Sequence, residues 1–89
     1  MISSKFEAEC HAINTVLEKD EILEINLVHE TETSMEISVV VTPDEYIQAY
    51  VRPLAKIGYS FYSDDSTILK LCFQKGDSFQ YRLYLTQAN

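Results

Sequence analysis

Residues 22–41, with the sequence ILEINLVHETETSMEISVVV, decide the fold of this 89-residue chain. Apolar and polar side chains alternate at period two over residues 22–29 and again over residues 35–41. This period is typical of strands that bury one face and expose the other. Residues 30–34 between the two runs are polar, so we expect a turn there. The stretch therefore predicts a β-hairpin.

The alternation also assigns each residue of the hairpin to a face. The residues expected on the buried face are Leu23, Ile25, Leu27, His29, Met35, Ile37, Val39 and Val41. Val28 and Val40 fall on the polar face. If these two valines lie opposite each other, they form a small apolar centre with carboxylates around it, as in a protein interface with a polar rim.

A helix is predicted before the hairpin, over residues 4–19. Ser4 and Glu7 have the spacing of a capping box. Phe6, Cys10 and Ile13 begin an apolar stripe at helical spacing, which Leu17 continues.

A second helix is predicted after the hairpin, from Thr42 to Lys56. Thr42 serves as its N-cap, and Pro43 suits the first helical position. Pro53 lacks an amide hydrogen and clashes with the preceding turn, so we expect a kink or break at residues 50–52. Gly58 ends the helix.

Three further strands are predicted at residues 59–62, 67–73 and 78–85, joined by turns at residues 63–66 and 74–77. The element order is then α-β-β-α-β-β-β. It predicts a single compact acidic α+β domain over residues 1–89. An antiparallel sheet of four to five strands with both helices on one face buries every apolar stripe.

The charge is divided between the two halves of the chain. Residues 1–45 carry eleven acidic and two basic side chains, a net charge of −9, whereas residues 46–89 carry three acidic and five basic ones. Such segregation produces a local field that steers charged partners. We therefore expect a non-enzymatic protein that binds a basic protein surface through its acidic half. The expected contact residues are Glu21, Glu24, Glu30, Glu32, Glu36, Val28 and Val40.

The size and charge also suit an inhibitor or regulator of a nucleic-acid-handling protein, of the immunity or phage-encoded type. Carboxylates two residues apart on a strand are about 6.6 Å apart, from twice the strand rise. This spacing resembles that of backbone phosphates, so the acidic half is a candidate DNA mimic. The analogy rests on size and charge.

Other chemistries have weaker signals in the sequence. Cys10, His11, His29 and Cys72 lack the paired spacing of a zinc site, so we expect no metal and no cofactor. No catalytic residues are predicted. A small hydrolase or transferase that uses Cys72 or a histidine remains the alternative. The basic residues are too dispersed for direct nucleic-acid binding by the whole chain, although Lys70 and Arg82 lie among tyrosines in the second half.

Assembly and location are predicted from the same composition. The last strand is expected at an unprotected sheet edge, where Tyr62 and Tyr84 pack against a second copy, so a structural homodimerisation module is another alternative. No apolar run approaches the roughly 20 residues of a membrane span, and the first residues lack a signal-peptide pattern. We therefore expect a cytoplasmic protein with no membrane contact and two reduced cysteines.

Overall fold

A computed structural model of the protein describes residues 4–18, 21–42, 47–62 and 70–88. Its elements follow the predicted order α-β-β-α-β-β-β in a single small α+β domain. They are α1 (Ser4–Val16), β1 (Ile22–Glu30), β2 (Ser34–Val41), a 3₁₀ turn (Ile47–Tyr50), α2 (Val51–Ala55), β3 (Ser60–Tyr62), β4 (Lys70–Lys75) and β5 (Gln80–Gln87). The predicted fold class, with five strands and two helices, is confirmed.

The sheet is mixed, whereas the sequence led us to expect antiparallel pairing throughout. The strand order is β1-β2-β5-β4-β3. β2 and β5 run parallel, with register from Ser34–Gln80 to Val41–Gln87, and the other neighbouring strands are antiparallel. The reason is topological. The helical connection after β2 brings the chain to the far edge, and the returning meander places β5 beside β2 in the same direction.

This strand order corrects the prediction that the last strand lies at an edge. β5 lies at the centre of the sheet, between β2 and β4, and the two edges are β1 and β3. Tyr84 on β5 is therefore not an edge residue, whereas Tyr62 on β3 is. Tyr62 and Tyr84 therefore do not lie together on one sheet edge, as the predicted dimer edge required.

Both helices cover the same face of the sheet, which we call the helix side. The buried residues of β2 are every second residue, from Met35 to Val41. In β5, Leu83 and Leu85 have the same orientation and are at most 1% exposed. The helical segments contribute four buried side chains to this core: Ile13, Leu17, Tyr50 and Leu54. The period-two pattern in β2 and β5 predicted this face correctly.

The second helical segment is not one continuous α-helix over the described residues. A 3₁₀ turn precedes α2 and changes to α-helix between Tyr50 and Val51, within the region where Pro53 predicts a break. Gly58, with a φ of +97°, follows the end of the segment. Pro43, the predicted first helical position, lies outside the described residues. No helix in the described part of the chain is long and apolar enough to cross a membrane.

Candidate partner-binding surface

β1, the turn after it and β2 carry a dense negative charge. Residues 21–41, which we call the acidic hairpin, contain five glutamates and no lysine or arginine. Glu24, Glu30 and Glu32 are exposed, and Glu21 and Glu36 are half-buried. The predicted acidic residues are therefore accessible to a partner. The segment itself holds no lysine or arginine, although the register places Arg82 of β5 beside Glu36.

The strand register places these glutamates on both faces of the sheet. Glu24 pairs with Val40, and Glu36 pairs with His29, on the face that the helices leave open. We call this face the open face. Glu30 pairs with the buried Met35 and so lies on the helix side, and Glu32 lies in the turn beyond β1. Glu30, Glu32 and Glu36 are thus spread around the end of the hairpin and do not share one face.

The two valines proposed as an apolar centre are not opposite each other. Val40 pairs with Glu24, whereas Val28 lies at a register shift between Leu27 and His29. A second shift lies between Ile22 and Glu24. Such bulges add a residue to one strand and change the side-chain alternation. The condition under which Val28 and Val40 would form an apolar centre is therefore not met.

β1 also exposes apolar side chains, and two of them, Leu23 and Leu27, were assigned to the core from the sequence. Leu23, Leu27 and Val28 are 56%, 36% and 55% exposed. They are three of the four large apolar side chains exposed in the described residues, and the fourth is Phe61 on the other edge strand. Apolar groups left in water beside carboxylates are typical of a binding surface.

The open face carries a second group of residues, near β3. Cys72 pairs with Tyr62 on one side and with Tyr84 on the other, and it is only 4% exposed. Lys70 Nζ lies 5.1 Å from the ring centroid of Tyr84, and the Arg82 guanidinium lies 5.9 Å from that of Tyr62. The cations thus pack on the aromatic rings of their own chain.

Beneath α1 the structure contains a buried polar cluster that the sequence analysis missed. Glu9 on α1 is 8% exposed. Its Oε1 lies 2.7 Å from Lys75 Nζ and accepts a hydrogen bond of 2.9 Å from the Tyr59 hydroxyl. Lys75 Nζ also donates to the Ile57 carbonyl at 3.2 Å. Glu9, Tyr59 and Lys75 are far apart in sequence, so no spacing rule could have found the cluster.

The Glu9 carboxylate changes the acidity of its neighbours. Burial and the negative charge of Glu9 raise the pKa of Tyr59 far above its ordinary value, so the hydroxyl stays protonated and donates. Burial, with Glu9 and Glu7 nearby, also raises the pKa of the Cys10 thiol. A raised thiol pKa lowers the thiolate fraction and disfavours nucleophilic chemistry at Cys10.

The other candidate catalytic groups do not converge. Cys10 lies on α1 and Cys72 on the open face of the sheet, and neither is in a disulfide. His11 and His29 are exposed on different elements. Across the described ranges, no three histidine, cysteine or acidic side chains come together as metal ligands.

Comparison with known proteins identifies the fold but no family. No family model matches the chain, and no curated protein matches it. Among solved structures, the chain is similar to the conserved protein GrpB from Enterococcus faecalis, with a TM-score of 0.76 over 93% of this chain. The sequence identity is 16%, and the match spans 55% of the GrpB chain. The likeness therefore shows a shared α+β fold.

Proposed function

We propose that this protein is a non-enzymatic binding protein whose acidic hairpin engages a basic protein surface. One observation carries the proposal: three exposed apolar side chains of β1 lie among the glutamates of a segment that has no lysine or arginine. The apolar groups supply contact area, and the carboxylates select and steer a cationic partner.

The nature of the partner follows from the charge. A surface that holds nucleic acid presents lysine and arginine to phosphates. Glu24, Glu30 and Glu32 would compete with phosphate for those cations, which makes the protein an inhibitor or regulator of its partner. Exposed charges are screened over about 8–10 Å at physiological ionic strength, so association should slow as salt is added.

Homodimerisation through the hairpin is disfavoured by the same charge. Pairing two copies at β1 would bring Glu24 and Glu30 of one copy close to the same residues of the other, and neither acidic hairpin has a lysine or arginine to offset them. Like charges that face each other across strands are destabilising. A basic partner removes this repulsion.

A pair of charge-reversal variants tests the proposed surface. Glu24→Lys/Glu32→Lys changes the acidic hairpin, and Glu7→Lys/Glu18→Lys changes exposed residues of the N-terminal segment by the same net charge. With each protein used as bait in extract of the native host, we expect the hairpin variant to bind the recovered partner about tenfold more weakly at low ionic strength. The control variant should bind within about twofold of the unmodified protein.

Equal losses in both variants would mean that only net charge matters. If neither variant weakened the complex at low salt, the acidic hairpin would not be the binding surface. Either result overturns the proposal. Faster association of the hairpin variant would also contradict the proposal. If these carboxylates steer a basic partner, their reversal must slow association.

A further inference from the structure

The two edges of the sheet differ in what they offer to another chain. β3 has three residues, whereas β1 has nine and is about 30 Å long at the usual strand rise. Within the described residues, β2 is the strand paired with β1, and the outer edge of β1 is not paired to any strand. An outer edge presents a row of amide and carbonyl groups to which a further strand can pair.

β1 lacks two of the devices that prevent strand addition, and its bulges leave part of the edge regular. It contains no proline and no lysine. The two register shifts interrupt its ends, but residues 24–27 between them pair regularly with β2. Bulges protect an edge by twisting it away, and here they leave a regular segment of four residues between them.

The side chains of that segment alternate in chemistry between the two faces. Glu24 lies on the open face, and Leu27 lies on the helix side opposite Ile37, where it is still 36% exposed. A strand added at this edge would place its own side chains beside these two. Basic residues would then meet Glu24 on one face, and apolar residues would cover Leu27 on the other.

We propose that β1 accepts an extended segment of a partner protein as a sixth strand, and that this segment alternates basic and apolar residues. The inference rests on the proposed function, because it specifies how the acidic hairpin holds its basic partner. In such complexes main-chain hydrogen bonds supply affinity, and alternate side chains supply specificity.

The test uses a defined probe, an eight-residue peptide that alternates lysine and valine, added to the full chain at low ionic strength. One control peptide has the same composition with all lysines first and all valines last. Two further peptides carry N-methyl groups at alternate residues, in the two complementary registers, so that each blocks one hydrogen-bonding edge. We expect the alternating peptide to bind at least tenfold more tightly than the block peptide and than at least one N-methylated peptide.

A variant of the protein completes the test. Leu23→Ser/Val28→Ser removes exposed apolar groups and should weaken the alternating peptide severalfold, while the free energy of unfolding stays close to that of the unmodified protein. If all peptides bind within about twofold of one another, attraction is electrostatic and strand addition is wrong. If the alternating peptide does not bind at all, strand addition is also wrong. In both cases a weaker host complex of Glu24→Lys/Glu32→Lys would leave the proposed function standing.

Discussion

Replacing Lys75 with methionine should lower the free energy of unfolding by about 3 kcal/mol, because it leaves the Glu9 carboxylate buried without its cation. Glu9 and Lys75 have side chains that are only 10% and 17% exposed, and 2.7 Å separates their charged atoms. In the variant, the Tyr59 hydroxyl is the hydrogen-bond donor that remains at Oε1. One neutral donor does not offset the desolvation of a carboxylate.

The double variant Glu9→Leu/Lys75→Met is the control for this prediction. Replacing both members of a buried ion pair with apolar residues of similar size is often close to neutral. We expect the double variant to lose about 1 kcal/mol, with Tyr59 losing its acceptor. Urea denaturation of the two single variants and the double variant gives the coupling energy. A coupling near zero would mean that the pair does not act as a unit.

Gly76→Ala should destabilise the protein by at least about 3 kcal/mol, through the turn between β4 and β5. Gly76 has a φ of +103°, which side chains rarely adopt. A Cβ atom there would overlap the Phe79 carbonyl oxygen, so the backbone of the turn would have to move. Because β5 is the central strand, the change would reach both of its neighbours.

Gly58→Ala is the matched control, since Gly58 also has a positive φ of +97°. A Cβ atom there would meet the Lys75 side chain at 3.5 Å, an ordinary contact. Gly58→Ala should therefore lower the free energy of unfolding only by the cost of the strained backbone, about 1–2 kcal/mol. Thermal or urea unfolding of the two variants separates the backbone strain, which both share, from the steric clash, which only Gly76→Ala has. Equal losses would show that the clash at Gly76 relaxes without cost.

The sequence predicted the central part of the fold because local patterns specify it. In β2, strict alternation from Met35 to Val41 buries every second side chain, and β5 shows the same pattern at Leu83 and Leu85. The strand order was not predictable in the same way. Whether β5 pairs with β2 depends on where the helical connection returns the chain, and this is decided by packing over the whole sheet.

The composition of the proposed surface was predicted from the sequence, but its geometry was not. The glutamates are exposed or half-buried as expected, but Leu23 lies at a bulge of β1 and is 56% exposed. Leu27 lies on the predicted face, but on this edge strand it is still 36% exposed. A bulge changes the register by one residue, and the period-two reading of β1 assumed none. Glu9 was missed for another reason. Its partner Tyr59 is 50 residues away in sequence.

The charge segregation has a structural counterpart in the sheet. β1 and β2 carry glutamates, whereas β4 and β5 carry Lys70, Lys75 and Arg82. Lys75 is engaged by Glu9, and Lys70 and Arg82 pack on tyrosine rings of the open face. The acidic hairpin is thus the side of the sheet best able to attract a cationic partner. The cations of β4 and β5 are instead engaged by side chains of their own chain.

In the proposed complex, a partner strand occupies the outer edge of β1. Amide hydrogen exchange of the chain alone and in the complex with its recovered host partner tests this directly. We predict that β1 amides directed away from β2 exchange at least tenfold more slowly in the complex, while amides of α1 keep their rates. Unchanged exchange in β1, with new protection at Ser60–Tyr62 and Lys70–Lys75 instead, would contradict the account and place the partner near the other edge.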